Sequence, residues 1–223
     1  MEEKKKRTLV IPGEVIVSGM EYLPSDGTRR EKDNIVASRF GLAEIEGRLV
    51  RIIPLSGPFI PRRGNIVIGK VTDVTFNGWV VDINAPYPAF LPVSESGQYV
   101  NKNDLSAYLD IGDMITAKVF SIKNRGIDLS MDGRGFGKIE DGIIISINSN
   151  KVPRVIGKDG SMVNMIKEKT NCDIIVGQNG LIWIRGDNVE TELLARKAIE
   201  FLTEKTFIEG LTEKVEEFIS RSK

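Results

Sequence analysis

The chain has 223 residues, 41% of them hydrophobic and 28% charged, enough for two or three small domains rather than one module of about 100 to 150 residues. Its formal net charge is zero, from 31 Lys and Arg against 31 Asp and Glu, so any affinity for a polyanion has to come from local charge. Histidine is absent and Cys172 is the sole cysteine, which excludes histidine general bases, Ser-His-Asp triads, histidine-ligated metals, an intramolecular disulfide and a thiolate zinc site.

No apolar run approaches the roughly 20 residues needed to span a bilayer, and the start, Met1 to Arg7, is charged where a signal peptide would be apolar. A cytoplasmic location is therefore expected. From the N-terminus, short strands are predicted at Leu9 to Ile11, Glu14 to Ser18, Ile35 to Phe40, Ala43 to Glu46 and Arg48 to Pro54. Pro12-Gly13, Pro24 to Gly27 and Glu46-Gly47 supply the turns. This stretch, residues 1–60, reads as a small β domain with no helical period.

Glycine, proline and arginine between Pro58 and Gly64 mark a linker, and a second linker is predicted at Gly133 to Gly137. The stretch between them, residues 61–134, offers strands at Asn65 to Val74, Gly78 to Ile83, Ala89 to Pro92, Met114 to Ile122 and Gly126 to Met131. An Asn77-Gly78 turn pairs the first two. Five short strands in about 70 residues fit a closed barrel of the OB type.

Residues 138–223 change period. Strand Ile143 to Asn148, a helical turn at Val152 to Ile156, a glycine loop and a helix from Ser161 to Thr170 come first. Strands Cys172 to Val176 and Leu181 to Arg185 follow, then a helix from about Asn188 to Thr203 whose apolar face is read as Val189, Leu193, Leu194, Ala198, Phe201 and Leu202. The order is β-α-α-β-β-α. A final stripe, Ile208, Leu211, Val215, Phe218 and Ile219, is expected to pack on its own domain, and Cys172 reads as a small buried hydrophobe.

The glycine loop carries the clearest chemistry. Gly157 and Gly160 flank Lys158 and Asp159 at a helix start, where bare backbone approaches a sugar-phosphate chain and aims N–H groups at it. A plain helix-entry turn has the same G-x-x-G spacing; the surrounding element order favours the phosphate clamp. Between Ser146 and Thr170 five cations, Lys151, Arg154, Lys158, Lys167 and Lys169, face two carboxylates, whereas Asp187 to Lys223 holds nine acids and six bases. This asymmetry predicts modest, salt-sensitive binding to RNA. Gly133-x-Gly135-x-Gly137 lacks dinucleotide-binding spacing, and the Gly157 loop lacks that of a P-loop. Asp73, Asp82, Asp128 and Asp132 lie on separate segments and read as ordinary carboxylates rather than a magnesium site. No metal, cofactor or small-molecule substrate is expected.

The β-α-α-β-β-α order around Gly157-Lys158-Asp159-Gly160 resembles a type I KH domain, whose GXXG loop clamps backbone nucleotides beside an apolar groove. The resemblance places Gly157, Lys158, Asp159 and Gly160 in the clamp, with Arg154 and Lys151 beside it and Val152, Val155, Ile156 and Ile174 lining the groove. The middle stretch resembles an S1-type OB fold through Phe76-Asn77-Gly78-Trp79-Val80, Leu91-Pro92-Val93-Ser94 and Leu129-Ser130-Met131. Phe76 and Trp79 are its candidates for stacking bases, with burial of Trp79 in the barrel as the competing reading, and Lys118, Lys123 and Arg125 are its cationic contacts.

The expected class is thus mainly β with α+β: an N-terminal β domain, an S1 barrel and one KH domain with a C-terminal helical tail. That order, with Phe40-Gly41-Leu42 and Leu55 to Arg62, resembles the S1/KH cap subunits of the archaeal RNA exosome. The resemblance implies a non-catalytic subunit, three copies of which sit on a hexameric ring of phosphorolytic RNase subunits. The N-terminal domain anchors each copy and the S1 and KH domains guide single-stranded RNA, with no membrane association. The competing readings are an assembly clamp acting through protein contacts and an S1/KH factor of transcription or translation.

Overall fold

Runs of β-branched residues broken by glycine and proline set most of the chain in strands. The computed structural model describes residues 7–101, 104–123, 126–204 and 211–221, and divides into two units, Met1–Gly57 and Pro58–Lys223.

In the first unit, β1 (Thr8–Val10), β2 (Val15–Ser18), β3 (Leu23–Pro24), β4 (Thr28–Glu31), β5 (Asn34–Ala37), β6 (Gly41–Glu46) and β7 (Leu49–Pro54) form two sheets, ordered β1-β6-β7-β3 and β2-β5-β4. Alternation places Val10, Ala43 and Ile52 in the core with Ala37. Neither β3 nor β4 was expected. Pro24, read as a turn residue, pairs in parallel with Val50 on a sheet edge, where its missing N–H is tolerated. Thr28–Glu31 is too polar to show an apolar alternation. On the opposite face from Ala43, Glu44 is buried and takes a two-pronged ion pair from Arg51, at 2.9 and 2.7 Å, and a bond from Arg7 at 3.2 Å.

The second unit begins with a five-stranded closed barrel: β8 (Ile66–Thr75), β9 (Gly78–Asp82), β10 (Ala89–Pro92), β11 (Met114–Lys123) and β12 (Gly126–Ser130). The order is β12-β10-β9-β8-β11, with β12 also pairing β11 and β10 running parallel to β12, which is the OB arrangement. Val67, Val71, Trp79, Val81, Leu91, Ile115, Ala117 and Leu129 fill it, and Phe59, in the segment read as a linker, closes one end. The second expected linker is also part of the barrel. Its last residue, Gly137, opens β13 (Gly137–Ile139), which pairs with β11, while Phe136 packs on the barrel core. A glycine-rich run hides such a strand because it has no side-chain alternation to read.

The remaining elements are β14 (Ile143–Ser146), α1 (Val152–Ile156), α2 (Ser161–Thr170), β15 (Asp173–Val176), β16 (Leu181–Arg185), α3 (Val189–Glu204) and α4 (Leu211–Arg221). The antiparallel sheet β14-β16-β15 carries its helices on one face, a type I KH fold. The buried face of α3 is rotated from the one expected: Ala195, Ala198, Ile199 and Leu202 are buried, whereas Val189 and Leu193 are 66% and 41% exposed. Val215 and Ile219 of α4 enter the same core, and Phe218 stacks on Phe201 at 4.7 Å, as expected of that stripe. Ile208 lies outside the described residues.

Barrel and KH fold meet through the β15–β16 turn, Gly177-Gln178-Asn179-Gly180. The Gln178 N–H donates to the Ile66 carbonyl at 2.8 Å, and the Ile66 N–H donates to Gln178 Oε1 at 3.1 Å. Asn179, wholly buried, accepts from the Ile68 N–H and donates to the Ile68 and Ile83 carbonyls at 2.7 and 2.9 Å. A Cβ on Gly177 would stand 3.0 Å from the Ile68 nitrogen, so glycine is what lets the turn sit this close to β8.

Candidate nucleic-acid interface

Helix α1 ends at Gly157, whose φ of 75° and ψ of −178° belong to a region that essentially only glycine occupies. A Cβ there would also stand 2.7 Å from Met162 Cβ. Asp159 and Gly160 are left-handed, and α2 then starts at Ser161 with no side chain capping its first turn. The result is a tight loop with Lys158 and Asp159 exposed at the N-terminal end of a ten-residue helix. Uncapped N–H groups, the positive end of the helix dipole and a lysine ammonium favour an anion at this place.

The neighbouring cations differ from one another. Arg154, in the last turn of α1, is half-buried, and its Nη1 is buried without a hydrogen-bonding partner among the described residues. Lys151 is drawn elsewhere: its Nζ donates to the Thr203 carbonyl at 2.8 Å, close to the C-terminal end of α3. Of the four expected groove residues, Val152, Val155 and Ile174 are core side chains at 1%, 0% and 3% exposure, and Ile156 alone is half-buried. The five-residue α1 has to spend its apolar side on the sheet and on α2.

On the barrel, Thr75 pairs with Gly78, so Phe76 and Asn77 form the hairpin tip. Phe76 is 90% exposed. Trp79 has no exposed surface; its Nε1 donates to the Leu109 carbonyl at 2.9 Å and its ring lies 5.5 Å from Tyr108. It is a core residue and not a stacking platform, because it begins the inward-facing alternation of β9. Gly78 lets β10 lie this close to β9, since a Cβ would meet the Leu91 carbonyl at 2.2 Å.

A depression of about 710 Å³ beside Phe76 is also lined by Asn77, Ser94, Gln98 and Tyr99. Tyr99, 96% exposed, escaped the sequence reading because it lies in a polar loop with no periodicity. Lys118 is exposed on β11. Lys123 is paired with Asp128 at 2.6 Å, and Arg125 lies outside the described residues. Asn179 is the other residue the sequence reading missed. A G-x-N-G turn between two strands reads as an ordinary hairpin until the barrel it enters is known.

The arrangement therefore offers an anion-binding loop on a KH fold and exposed aromatic rings on an OB barrel, two folds joined through one turn. A family model for the KH domain matches residues 142–190. Exosome complex component Rrp4 of Methanothermus fervidus is 42% identical over 219 residues, covering 98% of this chain and 97% of its own length. The Rrp4 of Thermococcus kodakarensis is 45% identical over 222 residues, with coverages of 96% and 86%, and that of Methanothermobacter thermautotrophicus is 42% identical, with coverages of 97% and 69%. A crystal structure ascribed to an exosome complex RNA-binding protein is 38% identical, with a TM-score of 0.68 over 74% of this chain and 97% of that one. By identity sustained over nearly its whole length, this chain belongs to the Rrp4 family of archaeal exosome components.

Proposed function

We propose that this chain is a non-catalytic, cytoplasmic RNA-binding subunit of an archaeal exosome, capping the RNase ring in three copies and feeding it single-stranded RNA. The observation that carries the reading is the Gly157-Lys158-Asp159-Gly160 loop, whose positive-φ glycines hold an exposed lysine at an uncapped helix start. Family membership supplies the complex. On this reading Lys158, Asp159, Gly160 and Arg154 take a short run of backbone, Phe76 stacks a base, and Lys118, Lys123 and Arg125 add phosphate contacts on the barrel. Cleavage belongs to the ring subunits. The N-terminal unit, with Leu9, Ile11 and Met20 exposed by 53%, 59% and 68%, has the apolar surface an anchoring role needs.

Avidity explains how a chain of zero net charge holds RNA: three linked weak sites act as one stronger site. The test is Lys158→Glu combined with Gly160→Asp, in the full chain assembled with its ring. Gly160 is chosen over Gly157 because a Cβ there meets only Asn164, at 3.5 Å, and aspartate tolerates the left-handed backbone. We expect oligoribonucleotide affinity and ring-dependent degradation to fall together by about tenfold, with the melting temperature nearly unchanged. Unaltered affinity in the folded variant would favour the assembly-clamp reading.

A further inference from the structure

Strand β11 carries an irregularity where it pairs with β12. Val119 pairs with Leu129 and Ser121 with Asp128, which leaves Phe120 as the extra residue of a β-bulge. Phe120 keeps to the outward side of the strand with Lys118 and Ile122, and its ring is 48% exposed. The guanidinium of Arg63, from the segment entering the barrel, lies over it at 6.0 Å from the centroid. Lys118 projects from the same strand two residues earlier, and Lys123 follows three residues later, paired with Asp128. Exposed Ile122 widens the apolar ground beside the ring.

We propose that Phe120, with Arg63 and Lys118, is a second stacking platform for single-stranded RNA, separate from Phe76. The ring takes one unstacked base, while Arg63 and Lys118 neutralise the phosphates on either side. Charge favours this occupant: Lys123 is paired with Asp128, while Arg63 lies over the ring and Lys118 is exposed on the same strand. The exposed ring adds what a purely electrostatic patch lacks, because every base offers a π-face. An acidic protein surface would match the charge and leave the bulged ring without a use. The proposal rests on the RNA-binding reading above and adds to it the aromatic partner that Lys118 and Lys123 otherwise lack.

The experiment compares the parent with Phe120→Leu and Lys118→Ser in the full chain, using a fluorescent oligouridylate in anisotropy titrations at several salt concentrations. Leucine keeps an apolar side chain and removes the π-face. A stacked base is expected to make Phe120→Leu at least about fivefold weaker at every salt concentration. Lys118→Ser is expected to lower the slope of log affinity against log salt by about 0.7. Phe120→Trp supplies an independent readout, an indole emission quenched on adding RNA.

Variants that melt like the parent and bind the oligouridylate equally well overturn the platform while leaving the RNA-binding reading intact. A parent that binds no RNA removes both. Variants that keep RNA affinity and lose co-assembly with the ring subunits assign the surface to a protein contact, and the platform is then wrong.

Discussion

Phe76 and Trp79 stand three residues apart on one hairpin and meet opposite environments, 90% exposed at the tip and wholly buried in the barrel. The difference follows from the hairpin geometry. Thr75 and Gly78 close the ladder, so Phe76 has no opposing residue, whereas Trp79 faces inward and finds the Leu109 carbonyl for its only donor. The resemblance to an S1-type fold marks both as aromatic candidates; deciding between them requires knowing which residue begins the inward alternation. The two rings therefore separate binding from stability. Trp79→Ala is expected to cost about 3–5 kcal/mol in denaturant unfolding, through a large cavity and a carbonyl left unpaired. Phe76→Ala should leave the unfolding midpoint within about 0.5 kcal/mol of the parent and weaken RNA binding severalfold. A stable Trp79→Ala variant with impaired RNA binding would reverse these assignments.

Strand pairs show what periodicity can and cannot reveal. The β6–β7 pair is readable because two short apolar-rich runs flank the Glu46-Gly47 turn, yet Glu44 looks like any outward carboxylate in such a pattern. It is buried because Arg51, directly across the ladder, and Arg7 cover it. The hydrogen bonds from Arg51 are the largest cause holding its carboxyl below the usual range, with the bond from Arg7 and both charges adding to them and burial opposing. A depressed carboxyl pKa in the folded state contributes stability that is fully present above the unfolded value of about 4.3 and is lost as pH falls through the folded value. Glu44→Gln should therefore melt lower than the parent at pH 7, by about 5 °C, and the gap should shrink steadily below pH 4. A gap independent of pH between 7 and 3 would show that the carboxylate charge contributes nothing. Other elements escape the sequence for equally local reasons. β4 is four polar residues, β13 opens with a glycine, and the α3 face is set by contacts with the sheet and α4 rather than by its exposed Val189 and Leu193.

At the scale of the whole second unit, barrel and KH fold are joined through a junction that no local pattern announces. The KH loop is readable from its glycine spacing and the exposed Phe76 from the S1 resemblance, because each is a property of one hairpin or one helix entry. What ties their frames together is Asn179, 111 residues from Ile68, whose amide replaces backbone pairing at β8. Two weak RNA sites gain from one another only if their separation is held, since effective concentration falls when the span varies. Asn179→Ala would leave one N–H and two carbonyl groups of the barrel without their partners, a cost of about 2–4 kcal/mol once water has partly replaced them. The expected result is a barrel and a KH fold that melt as two resolved transitions where the parent shows one, with faster amide exchange at Ile68. RNA affinity should fall as well, although Asn179, being fully buried, cannot reach the strand. If the variant still unfolds in one transition at the parent's midpoint, the junction is held by Gln178 and the surrounding apolar contacts instead. The avidity argument would then rest on the assembled ring alone.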